Sequence, residues 1–175
     1  MKEAKTMKIG IIVHSQTGNT FSVAEKLMEA LKKDGHQVTL SRIRNLKDTK
    51  ELQKPEDIEL DWVPDTEGYD LLIFGGWVQA FGLCPGFIAY LNRVSTLGER
   101  PVLCFVTQHF PFKWMGGSRA VGKMNKIIED KEGRTVKTAV VNWSSKRRSR
   151  QIDALVVAFT DELKPQRVDN ISPSV

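Results

Sequence analysis

The sequence has very little cysteine and no long apolar run, and both absences exclude classes of protein. Cys84 and Cys104 are the only cysteines in 175 residues, too few for a disulfide framework or a four-ligand zinc site. No stretch approaches the roughly 18 apolar residues that a membrane span needs. The segment 1–6 is charged and lacks the apolar core of a signal peptide. The sequence therefore predicts a soluble, cytoplasmic protein.

The composition is that of a globular protein of ordinary size. Hydrophobic residues make up 41% of the chain and charged residues 27%, which excludes a mostly disordered chain. A chain of 175 residues suits one domain that buries most of its surface without disulfides or metals. We predict one domain over residues 7–164, with an N-terminal tail over 1–6 and a C-terminal tail over 165–175.

The net charge of +5 is unevenly distributed along the chain. The segment 47–70 carries nine carboxylates against three lysines, so its net charge is −6 and the rest of the chain carries +11. The densest basic run is 146–150, Lys-Arg-Arg-Ser-Arg. Solvated surface accounts for most of this charge, and one short run is weak support for a nucleic-acid partner. A nucleic-acid-binding function is therefore not favoured.

Short apolar runs alternate with helical patterns along the whole length. Alternation of this kind predicts an α/β fold, a parallel sheet with helices on both faces. In such sheets the ligand site lies beyond the carboxyl ends of the strands, and every unusual loop of this sequence follows a strand. The predicted strands cover 8–13, 37–41, 71–74, 101–106 and 136–141.

The loop after the first strand has the features of an anion site. It reads His-Ser-Gln-Thr-Gly-Asn-Thr over residues 14–20 and leads directly into a helix. Hydroxyl groups and unpaired amides at a helix start bind anions, and the helix dipole favours negative charge there. The loop lacks both the Gly-Lys-Ser/Thr of a nucleoside-triphosphate loop and the spaced glycines of a dinucleotide fingerprint. A plain capped helix with a polar turn is the alternative.

This segment resembles the phosphate loop of the flavodoxin family, Thr/Ser-x-Thr-Gly-x-Thr after the first strand. The resemblance extends over about residues 7–164 and implies a three-layer sandwich with five parallel strands in the order 2-1-3-4-5 and bound FMN. Strand five carries no long insertion, as in the short-chain branch. Gln16 carries over as a loop position. The implied ligands of the FMN phosphate are Ser15, Thr17, Gly18, Asn19 and Thr20.

In the family, the loop after strand three covers one face of the flavin ring. Here that loop has Trp77 where proline is common and Gln79 where an aromatic is common. The resemblance therefore implies that Trp77 or Phe81 covers the ring. The alternative is that these aromatics pack the loop onto its own core. The candidate contacts in this loop are Gly76, Trp77, Val78, Gln79, Ala80 and Phe81.

The loop after strand four, residues 107–117, would meet the other side of the ring. The backbone amides of Thr107 and Gln108 are candidate partners of the polar flavin edge, and Gly116 and Gly117 would allow close backbone approach. His109 is a candidate proton donor, although an ordinary surface histidine is the alternative.

The implied function is FMN-dependent electron transport. Flavodoxins are usually strongly acidic, whereas this chain is net positive, so an acidic redox partner or an anionic small acceptor is expected. Two alternatives stay open: an NADH- or NADPH-dependent oxidoreductase acting on quinones or other small acceptors, and a non-redox binding protein that lost its flavin. The basic run 146–150 is then either an anion-receiving surface or ordinary surface.

Overall fold

A computed structural model describes residues 5–49 and 51–164; residues 1–4 and the whole predicted C-terminal tail lie outside this part. None of the described helices is long and apolar enough to cross a bilayer. The strands are β1 (Lys8–His14), β2 (Gln37–Ile43), β3 (Leu71–Gln79), β4 (Gly82–Leu83), β5 (Pro101–Gln108) and β6 (Arg134–Asn142). The helices are α1 (Asn19–Lys33), α2 (Pro85–Arg93), α3 (Gly117–Asp130) and α4 (Arg148–Glu162), with a 3-10 turn at Pro55–Asp57.

The sheet has the predicted topology. Its strands run in the order β2-β1-β3-β5-β6, and each neighbouring pair is parallel. The short β4 forms an antiparallel hairpin with β3. Without β4, the five parallel strands have the order 2-1-3-4-5, so the α/β three-layer prediction is confirmed.

Two hydrophobic cores lie on opposite faces of the sheet, because successive strand residues point to opposite sides. Ile9, Ile11 and Val13 of β1 pack with residues of α1 and α4. Ile12 belongs to the other core with residues of α2 and α3, where the Phe74 ring meets Phe87 edge-on at 5.9 Å. This double burial explains why the central strands are almost continuously apolar.

β3 is longer than the sequence predicted. The Gly-Gly pair at 75–76 reads as the end of a strand, yet the strand continues to Gln79. The reason is tertiary, since Gly75 pairs with both Val13 of β1 and Phe105 of β5, and Trp77 pairs with Thr107. The predicted loop after strand three is therefore mostly a strand and a hairpin, which holds Trp77 at the carboxyl edge of the sheet.

The acidic segment lies at the β2 side of the molecule. Asn45 forms an isolated bridge with Leu60, and the Arg44 and Asp61 side chains form an ion pair of 3.2 Å. Ile58 and Leu60 are buried in the core beneath α2. The basic run spans the start of α4, after β6, at the other edge of the sheet.

Candidate functional site

A cleft opens where the carboxyl ends of β1, β3 and β5 meet. It brings together residues from all three loops that the sequence singled out, together with one aromatic that it did not. The lining residues are Ser15, Gln16, Thr17, Asn19, Thr20, Trp77, Val78, Thr107, Gln108, His109 and Trp143.

The loop before α1 presents backbone donors to this cleft. Ser15 N–H donates to the Ile43 carbonyl (3.0 Å), and Phe21 N–H donates to Ser15 Oγ (3.2 Å). The five backbone N–H groups of residues 16–20 find no acceptor among the described residues. Gly18 caps the helix in the left-handed region, with φ of 104°. Such a set of unpaired amides at a helix N-terminus fits an anion such as a phosphate.

The hydroxyl groups of the loop divide into two groups. Ser15 and Thr20 are buried, and Thr20 Oγ1 lies 2.8 Å from Thr107 Oγ1, which ties the loop to β5. Thr17 is exposed, and neither its side chain nor that of Asn19 has a hydrogen-bond partner in the part of the chain that the structure describes. Thr17 and Asn19 are therefore the side chains most available to a ligand.

Arg42 supports the same loop, although the sequence analysis did not select it. Its Nε donates to the Ser15 carbonyl (2.9 Å) and its Nη2 to the Gln16 carbonyl (3.2 Å). The guanidinium also lies over the Phe21 ring, 5.1 Å from its centroid. The loop itself has no Lys or Arg, but β2 ends beside β1 and brings this cation to it. The available sequence signal was a basic residue near the end of a neighbouring parallel strand.

Two tryptophans form apolar walls of the cleft. Trp77 is half-buried on β3, and its Nε1 donates to Nδ1 of His14 (3.0 Å), a buried residue that the sequence analysis did not select. Trp143 follows β6, and the Arg148 guanidinium lies 4.7 Å from its ring centroid. Arg148 Nη1 also donates to the Trp143 carbonyl (2.9 Å). The basic run is thus joined to the cleft through Arg148.

Several predicted contacts after β3 lie at the rim or in the core. Gly76 faces the core, where an added Cβ would lie 2.8 Å from Leu83 Cδ1. Ala80 and Phe81 form the hairpin turn with positive φ of 48° and 61°. The Phe81 ring stacks on Phe110 with centroids 5.3 Å apart. Of the two candidate ring covers, only Trp77 lines the cleft; Gln79, Ala80 and Phe81 do not.

The loop between β5 and α3 is organised by the Gln108 side chain. Its Nε2 lies within hydrogen-bond distance of the carbonyls of Phe110 (3.1 Å) and Phe112 (2.6 Å) and of Asn142 Oδ1 (2.5 Å). Thr107 and Gln108 are also paired in the β5–β6 ladder. After β5, the backbone N–H groups of His109 and Phe110 are the first in the loop that find no acceptor among the described residues. These amides are better placed for a ligand than the two predicted ones.

Gly116 and Gly117 have a packing role. Gly116 has φ of 122°, and a Cβ there would lie 2.6 Å from Val78 Cγ1. A Cβ on Gly117 would lie 2.7 Å from Gln108 Oε1. Both glycines therefore let the loop approach the hairpin and the Gln108 carboxamide, and neither lines the cleft.

Comparison with solved structures identifies the architecture. No model of a known protein family and no curated protein matches this sequence. The structure of oxidised Flavodoxin 1 from Bacillus cereus matches with a TM-score of 0.62 and 14% identity, over 89% of this chain and 96% of that one. This chain has the flavodoxin-like fold.

Two further structures share the flavodoxin-like fold. A flavoprotein from Lactobacillus acidophilus NCFM, solved in complex with FMN, matches with a TM-score of 0.58 and 16% identity, over 86% of this chain and 99% of that one. A mutant flavo di-iron protein from Thermotoga maritima matches with a TM-score of 0.60 and 16% identity. That match covers 93% of this chain but 37% of the Thermotoga protein. This chain thus spans about a third of the longer protein.

The titratable groups near the cleft of this flavodoxin-like fold do not form a nucleophilic centre. Burial raises the pKa of the Cys84 thiol to about 12 and also raises the pKa of Cys104, so both stay protonated. Burial lowers the pKa of His14 below its ordinary value. No cluster of metal-ligating side chains occurs among the described residues. The cleft can bind an anion and a planar group.

Proposed function

We propose that this chain binds FMN in the cleft and acts as a redox protein that passes electrons to a partner. The observation that carries the proposal is the set of unpaired N–H groups over residues 16–20, placed beside the aromatic walls Trp77 and Trp143. FMN would supply the electron-accepting and electron-donating chemistry, and the protein would bind, orient and shield it. The flavodoxin and the FMN-bound flavoprotein that share the fold support this assignment.

The residues present fit the parts of FMN. The unpaired amides and Thr17 would receive the phosphate, and Arg42 would add positive charge behind the loop. The ring would lie against Trp77, with Trp143 and His109 on the same cleft. Only one short hydroxyl-rich turn is available, and the sequence has no dinucleotide fingerprint. FMN is therefore favoured over FAD.

The direct test compares FMN, FAD and riboflavin by flavin fluorescence titration of the apoprotein. FMN should bind most tightly, and riboflavin should bind far more weakly because it lacks the phosphate that the loop would hold. Equal affinity for FMN and riboflavin would contradict the phosphate assignment. A chain that takes up none of the three flavins would favour the non-redox alternative.

Replacing Trp77 by alanine should change the visible spectrum of bound FMN and weaken its binding about 2- to 10-fold. An aromatic pair contributes about 0.5–1.5 kcal/mol beyond its buried area, which corresponds to that range. Phe81→Ala should have a smaller effect, because Phe81 stacks on Phe110 at the rim. Trp114→Ala is a suitable control, since this side chain is 76% exposed and does not line the cleft. Unchanged spectra for both Trp77→Ala and Phe81→Ala would assign these aromatics to packing.

We further infer that the basic run receives the anionic partner. Lys146, Arg147 and Arg150 are exposed, and none of them pairs with a carboxylate in the described part of the chain. Positive charge in the first turn of a helix opposes the helix dipole, which makes three basic residues at the start of α4 unfavourable for the helix alone. An acidic redox protein would offset this repulsion, as would the phosphates of NADH or NADPH. The latter would make the chain a reductase of quinones or other small acceptors.

Changing Lys146, Arg147 and Arg150 together to glutamine should slow electron transfer or nicotinamide oxidation at low salt. The difference should shrink as salt rises, because the screening length falls from about 30 Å at 0.01 M to about 8 Å at 0.15 M. Arg148 is left unchanged because it covers Trp143, so FMN affinity should stay the same. Stopped-flow reduction over a salt series measures the effect.

The matched control removes three charges near the amino-terminal ends of the strands, away from the carboxyl ends where the cleft opens. Lys32 and Lys33 end α1, and Arg134 begins β6, so their change to glutamine alters the net charge equally but far from the cleft. If both triple variants slow the reaction alike, the effect is one of overall charge and the basic run has no special role. NADH or NADPH oxidation with a quinone separates the reductase from the carrier.

A further inference from the structure

His14 is buried at the end of β1, directly beside the cleft, and the FMN proposal gives it no role. Its Nε2 lies 2.8 Å from Asn45 Oδ1, and its Nδ1 lies 3.0 Å from Trp77 Nε1. The Cys84 sulfur lies 3.7 Å from the same Nδ1. One imidazole thus connects β1, the segment after β2, β3 and the start of α2.

The partners of the ring determine where its proton lies. An indole N–H can only donate, so His14 Nδ1 must be unprotonated to accept from Trp77. The remaining ring proton then belongs on Nε2, which donates it to Asn45 Oδ1. The histidine is therefore neutral, with one defined tautomer.

The groups that face His14 favour this neutral form. Burial is the largest influence and lowers the pKa of His14. The hydrogen bond to Asn45 and the Asp61 carboxylate both raise this pKa, but Asn45 carries no charge and the carboxylate is itself paired with Arg44. The Cys84 thiol keeps its proton, because burial raises its pKa to about 12. Among the residues that the structure describes, no negative charge in direct contact with the ring therefore stabilises an imidazolium.

We propose that His14 is a positioning residue that fixes the Trp77 side chain with its N–H turned inward, so that this wall offers the cleft an apolar ring surface without a hydrogen-bond donor. Where that surface meets a flavin, the inference rests on the proposed function; the hold on Trp77 does not. A flavin at this wall would be contacted by carbon atoms and would receive no proton from the indole.

Close packing against α2 also restricts the position of the His14 ring. Gly86 at the start of α2 lies so close that an added Cβ would overlap His14 Nε2 and Asn45 Oδ1. The absent side chain leaves the room in which this pair lies against the helix. The position of the ring is thus determined from three sides, as a positioning role requires.

The hydrogen bond to Trp77 has a defined pH dependence. A protonated His14 carries a hydrogen on Nδ1, and this hydrogen would face the indole N–H, so the bond is lost. Because the folded-state pKa lies below the ordinary value of 6.5, the bond should persist at neutral pH. It should be lost only as the pH falls through that lower folded-state pKa. At a pH between the folded-state pKa and 6.5, the unfolded chain binds the proton and the folded chain does not. The stability of the folded state therefore decreases as the pH falls below about 6.5.

Nuclear magnetic resonance of the apoprotein tests the inference without any flavin. At pH 7, His14 should carry its proton on Nε2, and the Trp77 indole N–H should exchange slowly with water. On acidification this exchange should accelerate. Trp62 provides an internal control, since its Nε1 donates to the Arg42 carbonyl (2.7 Å), which does not titrate in this range. An Nδ1-protonated ring at pH 7, or a Trp77 N–H that exchanges as fast as the exposed Trp114 N–H, would overturn the proposal.

Variants separate the hydrogen bond from the bulk of the ring. His14→Asn places an acceptor oxygen near the position of Nδ1 without a titrating group, so Trp77 protection should persist and lose its acid dependence. His14→Leu should abolish the protection, and protection retained in a folded His14→Leu protein would contradict the role. His36→Asn is the control histidine, since His36 Nδ1 lies 3.3 Å from Met7 N, at the other end of β1.

FMN titration of the same variants separates the two proposals. If the Trp77 protection behaves as expected but no FMN binds, the proposed function fails and the role of His14 stands. If FMN binds while the protection of the Trp77 N–H does not depend on His14, the role of His14 fails and the proposed function stands.

Discussion

Replacing Ser15 by alanine together with Thr17 by valine is expected to weaken FMN binding by about 100- to 20,000-fold. In the proposed complex, each substitution would remove one hydroxyl donor to the charged phosphate, and such a hydrogen bond contributes about 1.5–3 kcal/mol. Two of them amount to about 3–6 kcal/mol, which gives this range of dissociation constants. The effect of Thr17→Val should depend on the ligand alone, because Thr17 is exposed and its side chain has no partner among the described residues. Fluorescence titration with FMN measures the loss.

The Ser15 substitution also has a structural cost, which the controls must separate. Ser15 Oγ accepts from Phe21 N–H at the start of α1, so alanine should lower stability by about 0.5–2 kcal/mol even without a ligand. Thr17→Val alone should weaken FMN binding while leaving apoprotein stability nearly unchanged. The matched control is Ser95→Ala with Thr39→Val, which removes two exposed hydroxyl groups that do not line the cleft. Unchanged FMN affinity in the Ser15–Thr17 double variant would place the phosphate elsewhere.

Replacing Gly86 by alanine is expected to destabilise the protein by about 2–4 kcal/mol. The added Cβ would occupy the space of His14 Nε2 and Asn45 Oδ1. Overpacking typically costs about 1–3 kcal/mol, and the broken hydrogen bond adds about 1 kcal/mol. For a chain of this size the melting temperature should fall by roughly 2–4 °C for each kcal/mol. Urea unfolding at pH 7 measures the change.

Gly122→Ala is the matched control for this experiment. Gly122 also lies in a helix, α3, but an added Cβ there would meet no atom within 4 Å. Alanine is the better helix former, so this variant should be more stable by about 0.5–1 kcal/mol. If the two alanine variants shift the unfolding midpoint in the same direction, the close packing of His14 and Asn45 on α2 is not a source of stability.

Local sequence patterns were sufficient to predict the α/β layers. The alternation of apolar runs with helical patterns indicated a parallel sheet, the resemblance to the flavodoxin family implied its strand order, and the helix predicted to follow the first loop is α1. The hydroxyl-rich loop after β1 was recognisable because the sheet places such a loop at the ligand edge whatever the rest of the chain does. The assignment of that loop to a phosphate, and of the site residues to FMN, stays a prediction.

Patterns along the chain could not predict the placement of a residue whose partner lies far away in sequence. Trp77 and Phe81 were equivalent candidates in the sequence. Pairing of β3 with β1 and β5 carries the strand to Gln79, which places Trp77 in the cleft and Phe81 at the rim. The two glycines after Trp114 were read as room for a cofactor, whereas Gly116 and Gly117 pack against Val78 and Gln108.

The sequence by itself determined the layers and the loop that can receive an anion, because these depend on periodicity and on short-range turn chemistry, while the strand order followed from the resemblance to the flavodoxin family. Only the tertiary structure decided which side chains complete the site. His14, Arg42 and Trp143 come from three different strands or strand ends, and their partners are Trp77, the Ser15 carbonyl and Arg148. The first two pairs are not encoded in local spacing, since each forms only when parallel strands end side by side and bring distant residues within hydrogen-bond distance. Trp143 and Arg148 are neighbours across the turn into α4, and it is the end of β6 at the carboxyl edge of the sheet that brings them to the cleft.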